Sequence, residues 1–166
     1  YLGDLLRVVQ VAPEDGRGIR RFIRLPFGFL RREENWVPPL AGELRSLLRK
    51  RHPFYAHSDA AFFLAYEDGR DLGRIAVLDH RGYNEHHGTR TAYFCHFDCE
   101  DRPDAAAGLL GAAEEWAASR GLDRLIGPKG FLRSAGQGVL VEGFDHLPAG
   151  GIPWNPPYYA GLVEGC

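Results

Sequence analysis

Methionine is absent from the 166 residues, cysteine occurs only three times, and no apolar run reaches the ~20 residues that a bilayer span needs. Each shortage excludes something. Without methionine the chain does not begin at a start codon. It also stops at Val163-Glu164-Gly165-Cys166, where a short helix would hand over to a strand, so it reads as the front portion of a longer protein. Three cysteines (Cys95, Cys99, Cys166) are too few, and odd in number, for a disulfide framework. With no visible signal peptide, a reducing cytoplasmic setting is the expectation. His80, His86 and His87 share one polar loop but match no closed zinc spacing and have no cysteine beside them, so no metal is expected. Repeats and low-complexity tracts are lacking too.

The composition is globular, with 45% hydrophobic, 12% aromatic and 25% charged residues. A chain of this length is one ordinary domain, able to bury roughly 70% of its unfolded surface. The net charge of −2 hides an asymmetry. Residues 1–51 carry eleven basic and six acidic side chains, whereas 52–166 carry nine and sixteen. A basic first third suits an anionic ligand or surface, or else an attraction between two faces of one domain. Nucleic acid is not expected, because the later residues are acidic and no reading motif is present.

Hydrophobic spacing predicts the elements. A short strand over 5–11 ends at Ala12-Pro13. From Gly16, Ile19, Phe22 and Ile23 recur at helical spacing opposite Arg17, Arg20, Arg21 and Arg24, until Pro26 breaks or ends the helix. Asn35-Trp36-Val37-Pro38-Pro39-Leu40 is a rigid loop, followed by a helix over 40–50. Apolar runs over 60–66 and 72–78 flank Asp68-Gly69, which predicts a hairpin covered on both faces. A polar loop over 80–90 leads to a third strand over 91–98. The clearest helix is 103–120, capped by Asp101 and stopped by Gly121. A short strand over 122–126, a Gly/Pro-rich stretch over 127–157 and a last helical turn opened by Asn155-Pro156-Pro157-Tyr158-Tyr159 complete the chain.

The junction between the third strand and the long helix carries Asp98, Glu100, Asp101 and Asp104 and no glycine. A strand opening into a helix is where many α/β proteins seat a phosphate on exposed N–H groups, yet this seat is acidic. Cys95 and Cys99 would lie about 13 Å apart at ~3.3 Å per residue, on one strand face with Phe97, as small buried thiols.

This element order, with Asn35-Trp36-Val37-Pro38-Pro39-Leu40, His52-Pro53-Phe54-Tyr55, Gly73-Arg74-Ile75-Ala76 and Asn155-Pro156-Pro157-Tyr158-Tyr159, resembles a little-characterised bacterial subgroup of the GNAT superfamily of acyl-CoA-dependent N-acyltransferases. Its members are usually about twice this length. The resemblance covers nearly the whole chain. It implies one GNAT-like domain over 1–166: a mixed, mainly antiparallel sheet with helices on both faces, its last strands lying beyond the chain. It also implies acetyl-CoA or a longer acyl-CoA as co-substrate, held by the backbone of Phe94, Cys95, His96 and Phe97, with Arg102 or a remote arginine offsetting the acidic turn. The superfamily's Arg/Gln-x-x-Gly-x-Gly/Ala turn is absent here. Asn155 with Tyr158 or Tyr159 matches the superfamily's catalytic position. There the tyrosine, whose reference pKa of about 10 exceeds a thiol's, serves as general acid; alternatively both tyrosines simply pack the helix on the sheet. Glu142, Asp145 and His146 are candidates for the base that deprotonates an amine. Arg133, Ser134 and Gln137 are candidate substrate contacts, and Lys129 a candidate anion contact. The acceptor would be a small or lipid-like amine. Two alternatives stand beside acyl transfer: a degenerate half that scaffolds the second half of the same longer protein, and a module using the arginine row against an anionic membrane or ligand.

Overall fold

A computed structural model describes residues 5–39, 41–131 and 136–166. Strand β1 (Arg7–Gln10) is followed by helices α1 (Gly16–Phe29) and α2 (Ala41–Leu48) and a 3₁₀ turn, Pro53–Ala56. Then come β2 (Asp59–Glu67), β3 (Arg70–Asp79), α3 (Arg81–His87), β4 (Thr91–Cys99), α4 (Pro103–Ser119), β5 (Arg124–Ile126) and α5 (Tyr159–Glu164). The strands form one sheet in the order β1-β2-β3-β4-β5, antiparallel except for the parallel β4–β5 pair. The mixed, mainly antiparallel sheet with helices on both faces is therefore as expected.

Strand alternation divides the core in two. Ala61, Phe63 and Ala65 of β2 face α4 and α5, packing with Leu109, Leu110, Ala113 and Leu162. Ala60, Phe62 and Leu64 face the other way, onto Ile19, Phe22 and Ile23 of α1 and Leu44, Leu47 and Leu48 of α2. Both hairpin faces are covered, as the unbroken apolar runs imply. Asp68 and Gly69 turn the hairpin with positive φ at both positions (51° and 75°), the geometry that matches strand twist.

The structure corrects four local expectations. Pro26 neither breaks nor ends α1, which runs three residues past it. A helical proline lacks the N–H that would bond the carbonyl four residues earlier, here Phe22. That carbonyl instead accepts from a guanidinium N–H of Arg74 at 2.7 Å. The stretch over 80–90 contains a helix, α3, closed by Gly88 in the left-handed region. Its buried Asn84 donates to Asp79 Oδ1 and the Thr91 carbonyl, and accepts from Thr89 Oγ1 and Thr91 N–H. Asp101 does not cap α4; the N-cap position is Arg102, with no side-chain cap bond. Finally, Cys95 and Cys99 do not share a face. Cys95 packs toward α1 and α2, whereas Phe97 and Cys99 pack toward α4. The cause is a bulge: His96 has φ of 48°, and the β3–β4 register shifts between Arg74 and Ala76. One extra residue inverts the side-chain alternation beyond it.

Arg74, 2% exposed, holds this bulge in place. Its guanidinium donates to Asp98 Oδ2 at 2.8 and 2.7 Å and lies 5.0 Å from the centre of the Phe22 ring. Arg74→Met should therefore leave the partly buried Asp98 carboxylate with only the Tyr159 hydroxyl and the Phe22 carbonyl with no side-chain partner, costing about 3 kcal/mol in urea denaturation. Adding Pro26→Ala restores an amide facing the Phe22 carbonyl. It should recover about 1 kcal/mol in the Arg74→Met background, and less in the parent, where that carbonyl is already bonded.

Candidate functional site

Strand β5 follows β4 for only three residue pairs, Thr91–Arg124, Ala92–Leu125 and Tyr93–Ile126. One further bond, Lys129 N–H to the Phe94 carbonyl at 2.8 Å, ends the contact. Gly127 is needed at this crossing, since a Cβ there would lie 2.5 Å from the Phe94 carbonyl oxygen. Beyond Phe94 the β5 side of β4 has no backbone ladder among the described residues. The main chain of Cys95, His96 and Phe97 thus continues beyond the last β5 partner, and the His96 bulge lies in this stretch.

At the end of β4, α5 and its entry bond to the strand. Tyr159 is buried; its hydroxyl accepts from the Cys99 N–H and donates to Asp98 Oδ1, both at 3.2 Å. Tyr158, half-buried, donates to the Cys99 carbonyl at 2.9 Å. The two hydroxyls thereby answer the donor and the acceptor of Cys99 that β5 leaves unpaired. Burial, then the Cys99 thiol and the nearby Asp101, Glu100 and Asp98, push the Tyr158 phenol well above its ordinary value. Burial first, then Asp98, does the same to Tyr159. Both remain protonated across the physiological range and release a proton reluctantly. Asn155 is buried and fully engaged: its side chain accepts from Leu140 N–H at 2.7 Å and donates to the carbonyls of Leu140 and Pro156. It pins the 139–141 stretch to the start of α5.

On the strand itself, burial lifts the Cys95 thiol far up and the Cys99 thiol to about 12, so neither is a ready nucleophile. Burial, then Arg74, pulls the His96 imidazole down to about 4, leaving it neutral near pH 7. Its ring lies 5.9 Å from that of Phe131.

Three of the four carboxylates of the junction are paired, but Asp101 has no ion pair among the described residues. Asp98 is taken by Arg74 and Tyr159, and Glu100 is paired with Arg70. Arg102 is held between Asp104 (2.9 and 2.7 Å) and Glu67 (3.0 and 3.3 Å). The Arg102 hydrogen bond in turn holds the Asp104 carboxyl down at about 2. Glu142 is exposed in the loop after Val141, and Asp145 and His146 are exposed and bonded to each other at 2.8 Å. Arg133 and Ser134 lie outside the described residues. Gln137 bridges to Lys129, whose ammonium lies 4.1 Å from the centre of the Tyr93 ring. No group of three or more metal-ligating side chains occurs among the described residues.

Two adjoining clefts open at the surface, neither of them lined by Cys95, His96 or Phe97. One, of about 400 Å³, is bordered by Phe29, Leu30, Glu33, Asp101, Pro156 and Tyr158. The other, of about 470 Å³, runs along the arginine row of α1. They meet at Phe29, Arg70 and Glu100. Sequence reasoning found the arginine row but not this continuity, which depends on a hairpin end and a strand end distant in sequence. A second unforeseen link joins the Asn35 loop to the 141–154 stretch. Asn35 Nδ2 and Trp154 Nε1 both donate to the Phe144 carbonyl at 3.0 Å.

No protein-family model matches the chain. It is similar to Protein YghO of Escherichia coli (strain K12), with 32% identity over 146 residues, covering 88% of this chain and 37% of that protein. It is also similar to the Bacterial ceramide synthase of Caulobacter vibrioides, with 35% identity over 148 residues, covering 88% of this chain and 38% of that protein. The chain thus spans well under half the length of these relatives. Among solved structures, a tandem GNAT protein from the clavulanic acid biosynthesis pathway superposes over 97% of this chain and 43% of its own, with a TM-score of 0.60 at 18% identity. An aminoglycoside acetyltransferase from an uncultured soil metagenomic sample matches 73% of this chain and 75% of its own, with a TM-score of 0.53 at 18% identity. The architecture built around the divergent β4–β5 pair is the GNAT fold.

Proposed function

We propose that this chain is an acyl-CoA-dependent N-acyltransferase domain, with the edge of β4 beyond its last β5 partner as its thioester site. The observation that carries this reading is the end of β4–β5 pairing at Phe94, which leaves the β5 side of Cys95, His96 and Phe97 without a neighbouring strand among the described residues. An amide N–H along that edge would hold the thioester carbonyl oxygen and stabilise it as negative charge develops. The amine nitrogen attacks the carbonyl carbon, the C–S bond breaks, and the thiolate leaves. Tyr158 borders the adjoining cleft and is the residue suited to meet the departing sulfur. Its elevated pKa favours hydrogen-bond donation to the thiolate over outright proton release. The proton shed by the amine goes to solvent or to the exposed Glu142. Asn155 and Tyr159 position α5.

A lipid-like acceptor or long acyl chain is supported by the joined 35–37 and 141–154 stretches, which expose Val37, Val141, Leu147 and Ile152. The name of the Caulobacter relative points the same way, since a ceramide is an amide of a long-chain amine. A second reading has its own observation. With Arg102 committed to Glu67 and Asp104, the α4 start offers a pyrophosphate no free cation among the described residues, as in a half that scaffolds a catalytic partner half.

Calorimetric titration of the intact protein with acetyl-CoA and a long-chain acyl-CoA separates the two. The transferase reading expects saturable binding that weakens when Gly127→Val forces the β4–β5 crossing apart. Binding indifferent to Gly127→Val, or none, leaves the scaffold reading. In turnover assays, Tyr158→Phe should lower kcat by about 100-fold with little change in KM. Tyr159→Phe should instead cost about 1–3 kcal/mol of stability, because Cys99 and Asp98 lose a buried partner.

A further inference from the structure

The larger cleft has a charge imbalance that no described residue resolves. Arg17, Arg20, Arg21 and Arg24 form one stripe along α1, and Arg70 faces them from β3. The two carboxylates that border the cleft are both taken: Asp71 receives Arg21, at 3.0 and 3.1 Å from Nε, and Glu100 receives Arg70. The guanidinium groups of Arg17, Arg20 and Arg24 carry no hydrogen bond or ion pair among the described residues. Like charges at three- and four-residue spacing destabilise a helix, so this row is held against mutual repulsion. The stripe borders a concavity whose floor includes Leu25 and Phe29, and at Gly28 an added Cβ would meet nothing within 4 Å. Guanidinium forks are suited to phosphate oxygens. The concavity runs, through Phe29, Arg70 and Glu100, into the cleft that contains Tyr158.

The geometry points to this arginine cleft as a diphosphate-binding site, one that receives the nucleotide end of the thioester donor in place of the acidic α4 start. The donor assignment rests on the transferase reading above; the diphosphate site itself does not. Cations and apolar side chains are adjacent here, as a ligand with a charged end and a greasy arm requires. At the α4 start, Asp101 and Asp104 would instead repel the phosphates and Arg102 is already occupied.

The test uses the intact protein, with inorganic pyrophosphate as the first probe at constant ionic strength. Pyrophosphate should raise Tm in a saturable way, and Arg20→Gln with Arg24→Gln should remove the effect. Gly28→Glu, which leaves every arginine in place but adds a carboxylate to the cleft, should remove it as well. All three positions are exposed, so the variants should fold, and circular dichroism checks this. An absent pyrophosphate effect, or one equal in the variants, overturns the site. For the donor, acyl-CoA affinity should fall by ~tenfold in Arg20→Gln/Arg24→Gln, about one charge-assisted hydrogen bond, while affinity for an S-acyl-pantetheine lacking the diphosphate stays constant. Equal loss for both, or for neither, overturns the donor assignment. If the parent protein takes pyrophosphate but no thioester, the diphosphate site stands and the transferase reading falls. Arginine-dependent retention on phosphatidylglycerol vesicles without a pyrophosphate effect overturns the proposal in favour of a membrane surface.

Discussion

A single carbonyl organises this molecule. Pro26 leaves the Phe22 oxygen without its helical partner, and the oxygen is taken by Arg74 reaching from β3. The same guanidinium binds Asp98, next to the His96 bulge in β4. Asp98 in turn accepts from Tyr159 of α5. A helix defect, a sheet irregularity and the last helix are thereby tied into one buried chain of hydrogen bonds. Arg74 also faces the Phe22 ring, so its charge is met on one side by a carboxylate and on another by an aromatic face. A buried ion pair contributes little net stability compared with apolar side chains of the same size, but breaking it is costly. Its value here is geometric, because it permits one bulge position and one docking of α5.

The bulge is where fold becomes chemistry. Up to Cys95 the strand alternates regularly between the two cores; beyond His96 the alternation is inverted. The strand bends where β5 departs, and Tyr158 and Tyr159 supply the bonds that a continued β5 would have made to Cys99. The two tyrosines have the same neighbour but different freedom. Tyr159 is locked between a donor and an acceptor at the bottom of the core, whereas Tyr158 bonds a carbonyl at the edge of a cleft and can exchange that partner for a ligand.

Much of the fold was legible because periodicity is a local signal. The two-faced apolar runs of β2 and β3, the Asp68-Gly69 turn and the small-residue stripe of α4 each specify an element from neighbouring residues. What escaped was non-local. Pro26 reads as a break because the arginine that compensates for it lies 48 positions later. The bulge at His96 leaves no glycine or proline mark, so a regular strand put Cys95 and Cys99 on one face. Helix α3 was read as loop because its holding residue, Asn84, is polar and buried, a combination that hydrophobic spacing passes over. At the candidate site, the bonds made by the named residues were not foreseeable. That Arg102 is engaged by Glu67, 35 positions away, follows only from the hairpin end lying beside the α4 start.

The charges of the junction and of α1 make sense when considered together. Carboxylates in the first turn of a helix are favourable by about 0.3–1 kcal/mol each, so α4 gains from Asp104, and Arg102 bridging to Glu67 ties that turn to the hairpin end. A helix start stabilised in this way is no longer an anion seat, because its field has been answered from within. The arginine row of α1 is the converse: the guanidinium groups of Arg17, Arg20 and Arg24 have no partner among the described residues, and they border a concavity that shares Phe29, Arg70 and Glu100 with the cleft beside Tyr158. Moving cationic recognition from a helix end to a helix side exchanges a fixed set of backbone donors for long guanidinium arms. Backbone amides would fix a diphosphate in one place. On the proposed reading, a row of arginines spread over two turns of helix would follow a donor held at its other end by β4, and so would tolerate acyl groups that seat at different depths.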